Sequence, residues 1–408
     1  MLIANPRSSR SSYPEELQSI LNIQSADESG AWLANWDQIC QSATPLWDLP
    51  DAAAALGVAR VSLKDESFRS PLGSFKALGA PIALIRLILR HWHTHDLDPK
   101  GLLGGKYAML LANVTVVSAT DGNHGKSLAA AARDIGCRCV VVLHANVSVE
   151  REEAIAQCGA TIIRIKGSYD DSVEHAAKLA AENGWHVVSD TSYEGYEVIP
   201  RDVMQGYGVI SAEVVQRLDG AAVRPFTHVF LQGGVGGLAA GVASYFWERY
   251  GSQRPSFIVV EPQQADCLFQ SAITGHATKA TGTVDSIMAG LACGEASPLA
   301  WKFLERCVDY FMTITDEDAV AAMQSLAAGS ERDIPVVAGE SGAAGYAGLA
   351  VAMRSKEFSR IAGLGPESHV LVINSEGATA PAVYRALVGE SAEEVLTRQS
   401  EWIRALVH

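Results

Sequence analysis

From about residue 74 to residue 200 the chain alternates helix-forming and strand-forming stretches, and this regularity constrains its fold more than any single residue does. Apolar spacing predicts helices over 74–91, 123–135, 149–158 and 169–183, and short apolar runs predict strands over 114–119, 139–143, 161–165 and 186–189. Strands apolar on both faces and separated by helices indicate a parallel sheet with right-handed crossovers. A second series follows: helices 202–218 and 236–250, strands 228–231 and 257–260, helices near 298–306, 316–329 and 341–355, and a last strand over 369–373. Residues 1 to about 57 read as mixed helix and loop, followed by a short strand over 59–63. The stretch 263–299 reads as a long irregular loop of the kind that serves as a lid. A chain of 408 residues can bury two cores. The expected architecture is α/β with two domains, each a mostly parallel twisted sheet flanked by helices. Residues 1–73 plus 200–408 make the larger domain and 74–199 the smaller, with the functional site in the cleft between them.

Charge and cysteine usage narrow the partners. The formal net charge of -14 repels nucleic acid and anionic membranes, so neither is expected as a partner. The seven cysteines are scattered without a C-x-x-C pair, which gives neither a zinc site nor a disulfide framework and fits reduced thiols in the cytoplasm. The first residues lack the apolar core of a secretion signal, and the apolar runs are cut by Arg86 or by glycines, short of a membrane span. His91-Trp92-His93-Thr94-His95 has no carboxylate or cysteine at ligand spacing and reads as a solvated helix end, so no metal site is expected.

Three stretches carry chemistry. Lys76 follows Ser70-Pro71-Leu72-Gly73-Ser74-Phe75 and stands at the mouth of an apolar helical run through Ile82, Ile85 and Ile88. A lysine held there is partly desolvated, which lowers its pKa and frees the amine to attack an aldehyde carbon. Read alone, it is also compatible with a surface lysine. The second stretch is a strand ending in Thr120-Asp121-Gly122-Asn123-His124-Gly125 before an Ala-rich helix. Backbone N–H groups converge on that point and suit a carboxylate. Asn123 is an N-cap or a partner for a ring hydroxyl. Asp121, a carboxylate where anions bind, is a helix cap or an acid/base.

The third stretch is a strand feeding Gly233-Gly234-Val235-Gly236-Gly237 at a helix start, a phosphate cradle of backbone N–H groups. The same run, as Gly234-x-Gly236-x-x-Ala239 with Glu261 ending the next strand, also fits a dinucleotide fingerprint. A nicotinamide-dependent oxidoreductase is therefore a rival reading, although it leaves Lys76 and the 120–126 turn unexplained.

Together these stretches resemble the pyridoxal-phosphate enzymes of the tryptophan-synthase-β type, fold type II. The resemblance implies pyridoxal 5'-phosphate as cofactor, carried by Lys76 with Phe75 beside it. It implies Asn123 at the cofactor's hydroxyl, Gly233, Gly234, Val235, Gly236 and Gly237 at its phosphate, and Ser375 of Val372-Ile373-Asn374-Ser375-Glu376-Gly377 at its pyridine nitrogen. The turn reads Thr-Asp-Gly-Asn-His where serine and threonine dehydratases typically carry Ser-Ser-Gly-Asn-His, and Leu78 stands where they have an arginine. With Asp190 to Tyr196, Met288 to Glu295 and Ala338 to Ala343, the chain resembles the 2,3-diaminopropionate ammonia-lyases.

That narrower resemblance implies elimination of ammonia from an amino-acid substrate, giving pyruvate and two ammonia molecules. Lys76 and Asp121 are then bases for opposite enantiomers, and Asp121 and Asp190 receive the second ammonium. Thr120, Gly122, His124 and Tyr193 complete the substrate contacts, and a homodimer is implied. A serine/threonine dehydratase and an amino-acid-binding module that hinges without turnover remain alternatives. Several of these residues also have plain structural readings: Asp190 as a turn cap, Tyr193 and Tyr196 as packing residues, and Glu340-Ser341 as a helix start.

Overall fold

The computed structural model describes residues 1–120, 122–145, 147–167, 169–218 and 226–406. Its strands are β1 (Leu2–Ala4), β2 (Leu46–Asp48), β3 (Arg60–Asp65), β4 (Thr115–Ala119), β5 (Arg138–Leu143), β6 (Thr161–Arg164), β7 (His186–Val187), β8 (His228–Gln232), β9 (Ser256–Pro262), β10 (Tyr310–Ile314) and β11 (His369–Asn374). They form two sheets, one in the order β1-β10-β9-β8-β11-β3-β2 and one in the order β6-β5-β4-β7. In the large sheet only the edge strands run antiparallel, β1 against β10 and β2 against β3, and the small sheet is parallel throughout. This is the α/β architecture with two mostly parallel sheets that the strand and helix alternation predicts.

The departures have physical causes. The edge strands β1 and β2 have three residues each, too few to display a period of two. β10 was not anticipated either; its pairing with β9 comes from residues far away in sequence. The stretch 263–299 is not uniformly irregular, because it contains the helix Cys267–Thr274, ended by Gly275 at φ +84°.

The expected helix over 74–91 is broken. Phe75–Leu78 forms a separate 3-10 turn capped by the Ser74 hydroxyl, and the α-helix Ala80–His91 starts afresh with Pro81 in its first turn. Proline has no N–H to give to the preceding turn. Lys76 therefore stands on a short turn of its own and not on a long helix.

The helix Val198–Arg217, buried along nearly its whole length, holds that turn in place. A Cβ added at Gly206 would lie 2.1 Å from the Leu78 carbonyl oxygen, and one at Gly241 would lie 2.6 Å from that of Met204. The same helix presents Glu213 to Lys64 at the end of β3 and to Arg69. Lys64, Glu66 and Arg69 are almost fully buried, and the Lys64 ammonium also donates to the Thr44 carbonyl at 2.8 Å. This network fixes the chain just before Lys76. The C-terminal ends of β3, β4, β7, β8 and β11 lead to Lys76, Thr120, Asp190, Gly233 and Ser375, and the ends of parallel strands are where open α/β sheets place ligands.

Candidate active site

The Ser74 hydroxyl accepts the Lys76 backbone N–H at 3.2 Å, and the side chain is 20% exposed. Its Nζ donates to Asp190 Oδ2 and lies 5.2 Å from the Phe75 ring centre and 5.7 Å from that of Tyr207. Burial alone would lower the ammonium's pKa, but Asp190, with smaller contributions from Tyr207 and Cys293, outweighs it and holds the pKa above the ordinary lysine value. The expected lowering by desolvation is thus reversed. Asp190 shows the complement: burial would raise it, and Lys76 with His124 pulls it below the usual carboxylate range.

His124 is buried and its Nε2–H donates to the Val188 carbonyl at 2.9 Å, with Nδ1 facing Asp190 at 3.9 Å. Burial lowers its pKa and keeps the ring neutral. It ties the 120–126 turn to the segment that carries Asp190. Thr120 accepts the Gly122 N–H on its hydroxyl at 3.5 Å, and Asn123 begins the helix Asn123–Ile135. Asp121 lies outside the described residues. The Tyr193 ring is 44% exposed and stacked on Tyr196 at 4.8 Å. Tyr196 in turn accepts the Ser189 N–H and donates to the Val187 carbonyl. The pair brackets the end of β7.

After β8, Gly234 and Gly236 take φ of +61° and +100°, a conformation in which side chains are strained. The Gly236 N–H closes onto the Gly233 carbonyl at 3.1 Å, and the helix Gly237–Tyr250 opens immediately. A Cβ at Gly237 would sit 3.7 Å from Tyr207 and 3.9 Å from the Asp190 carbonyl, so the glycine loop and the Lys76–Asp190 pair share one space. Glu261, the residue a dinucleotide site would need at the ribose, is fully buried and accepts the Leu268 and Phe269 N–H groups at 2.9 and 2.7 Å. It caps a helix and faces no cleft. Ser375 is buried behind the Lys76 turn, its carbonyl accepting the Phe75 N–H at 3.0 Å.

Two groups were given no chemical role from the sequence, Glu376 and Glu340, the latter read only as a helix start. A pocket opens beside the turn, with Gly122, Asn123 and Lys126 on one wall and Gly290, Glu340 and Glu376 on another. Glu376, next to Ser375 in sequence, pairs through its backbone with Ser74. Its carboxylate accepts from the Asn123 amide, from the Ser341 N–H at 3.3 Å and from the Thr379 hydroxyl at 3.3 Å. Glu340 is 4% exposed. Burial, then Glu376, pushes its pKa up to about 7. The clue to both was that each sits in a segment already noted for other residues.

The family model of the pyridoxal-phosphate dependent enzymes matches residues 39–376. The chain is 38% identical over 356 residues to the diaminopropionate ammonia-lyase of Escherichia coli, covering 86% of this chain and 88% of that one. It is 36% identical over 359 residues to that of Salmonella typhimurium, covering 86% and 89%. The crystal structure of the holo diaminopropionate ammonia lyase from Escherichia coli superposes with a TM-score of 0.86 at 34% identity, over 95% of this chain and 96% of that one.

The residues here fit the cofactor. A lysine on a capped turn shares its space with a glycine loop at a helix N-terminus, the arrangement that takes an aldehyde and a phosphate. The chain belongs to the pyridoxal-phosphate dependent enzymes and, among them, to the diaminopropionate ammonia-lyases.

Proposed function

We propose that this chain eliminates ammonia from 2,3-diaminopropionate, releasing pyruvate and two molecules of ammonia. The observation that carries this reading is its likeness to the Escherichia coli enzyme over 86% of its length. The Thr120-Asp121-Gly122-Asn123-His124 turn, which differs from the dehydratase pattern, supports it. Bound pyridoxal phosphate supplies an electron sink that acidifies the substrate's Cα–H.

The remaining roles belong to the chain. Lys76 carries the cofactor and, once released, removes the Cα proton from one face. Asp121 is proposed as the base on the other face, which would admit the mirror-image substrate. Asp190 holds a proton on Lys76 Nζ and thereby sets when that amine becomes a nucleophile. The N–H groups of Gly233 to Gly237 hold the phosphate, while Phe75, Asn123 and Ser375 fix the ring. Thr120 and Gly122 receive the substrate carboxylate, and His124 positions Asp190. Tyr193, exposed and stacked on Tyr196, is proposed as a substrate contact at the rim. We propose further that the site lies in the cleft between the 74–199 unit and the rest of the chain. The protein is proposed to work as a cytoplasmic homodimer. Among the described residues no helix is long and apolar enough to cross a membrane.

The test is release of pyruvate and ammonia by the cofactor-loaded protein, offered D- and L-2,3-diaminopropionate separately beside L-serine and L-threonine. Two ammonia per pyruvate from diaminopropionate is the expected result. Turnover of serine or threonine alone would make the protein a dehydratase. Lys76→Ala is expected to lose the visible absorbance of bound cofactor together with activity; a variant that stays yellow and active would remove Lys76 from the centre of the scheme.

A further inference from the structure

The pocket beside the 120–126 turn is lined by charge of both signs. Lys126 lies in the first turn of the helix Asn123–Ile135, half-buried, with Glu376 the foremost charge acting on it. Glu340 is 4% exposed; its own backbone N–H reaches its carboxylate, Glu376 acts against its ionisation, and Arg151 favours it less strongly. Glu376 is beside it, already oriented by Asn123, Ser341 and Thr379. A buried carboxylate that feels a second carboxylate more strongly than it feels the Arg151 guanidinium carries a desolvation cost that native structures seldom leave uncompensated. Helix capping does not explain it either, since the helix Ala344–Arg354 begins four residues later.

We propose that Glu340, backed by Glu376, is the subsite for the β-ammonium of the substrate and selects a 2,3-diamino acid over a 2-amino-3-hydroxy acid. The proposal rests on the reading of the chain as acting on 2,3-diaminopropionate. The substrate has charges to match both signs: its carboxylate falls to the helix N-terminus and Lys126, and its β-ammonium to Glu340.

The contact also bears on the elimination itself. The Cα–H proton passes to a base of the chain, the C–H electron pair becomes the new Cα=Cβ bond, and the Cβ–N pair departs with nitrogen. A β-nitrogen held as –NH3+ departs as neutral NH3, whereas an unprotonated amine would have to depart as an amide anion. A carboxylate at that nitrogen keeps it protonated until the bond breaks. Serine carries a neutral hydroxyl at Cβ in place of the ammonium and gains no ion pair there from Glu340.

The experiment compares Glu340→Gln with the parent protein on diaminopropionate and on L-serine. A lost contact to a charged group corresponds to about 10- to 100-fold, so kcat/KM for diaminopropionate is expected to fall by that factor, with serine changed less than about threefold. Equal losses on both substrates, or no loss on diaminopropionate, would overturn the proposal.

A second arm needs no turnover. Calorimetry on the non-reacting Lys76→Ala protein is expected to show diaminopropionate binding weakened at least about tenfold when Glu340→Gln is added, with serine binding unchanged; an unchanged diaminopropionate affinity would overturn the subsite, and circular dichroism checks that the double variant folds. Failure of the parent protein to release pyruvate from diaminopropionate would refute the proposed activity alone, because this comparison reports on Glu340 without turnover.

Discussion

Asp190 and Glu340 show how one carboxylate differs from another by what stands beside it. Asp190 has Lys76 and His124 against it and stays ionised. Glu340 has burial and a second carboxylate, and its pKa rises to about 7. The groups facing Glu340 in the pocket are Glu376 after β11, Lys126 on the helix Asn123–Ile135, and Glu150 and Arg151 on the helix Val149–Gln157. As pH falls through about 7 the carboxyl becomes neutral and its hold on an ammonium is lost. The acid limb of kcat/KM, which reports the free enzyme, is therefore expected near pH 7 with diaminopropionate, to be absent with serine, and to disappear in Glu340→Gln. Stability moves the other way. A carboxyl whose folded pKa is raised favours the folded state below its ordinary pKa, and that contribution is lost as pH rises through about 7. Glu340→Gln should accordingly be more stable than the parent at pH 8, an advantage that vanishes in acid; thermal melts across that range check it.

Among the elements, the short turn Phe75–Leu78 depends on its neighbours, since one capped turn has little stability of its own. Among the contacts that hold it are the close approach of the helix Val198–Arg217 at Gly206, and the buried ion network that the same helix completes through Glu213. Removing one partner from a buried network leaves an uncompensated charge and costs about 3–5 kcal/mol. Glu213→Ala is expected to destabilise the protein by about that amount, read as a lower urea midpoint, by leaving Lys64 and Arg69 with only Glu66. Pairing it with Lys64→Met should cost less than the sum of the two single changes. Strict additivity would show that these side chains do not act as a unit.

Across the whole molecule, the proposed cofactor groups come from segments far apart: Lys76 and Ser375 near the large sheet's β3 and β11, Asn123 after β4 of the small sheet, and the glycine loop after β8. A ligand joining them acts as a cross-link between the two sheets. At about 100 times its Kd a ligand adds about 2.7 kcal/mol, so stripping the cofactor is expected to lower the thermal midpoint by a few degrees. An unchanged midpoint would place the cofactor elsewhere.

The sequence by itself determined the elements whose signal is local. The Ala-rich helix Asn123–Ile135, the β-branched strands β4 and β5, and the glycine turn before Gly237 all owe their form to side-chain period and backbone freedom within a dozen residues, and they could be read directly. Lys76 and the glycine loop carried enough of the family pattern to indicate the cofactor as well. What tertiary structure decided is what depends on distance through space. It separated the Lys76 turn from its helix and reversed the expected shift of that lysine by setting Asp190, 114 residues away, against it. It turned Glu261 inward to cap a helix. It also brought Glu340 beside Glu376 across 36 positions of sequence. Period and propensity are properties of neighbouring residues, whereas the charge state of a buried group is set by whichever residues the fold places within a few ångströms of it.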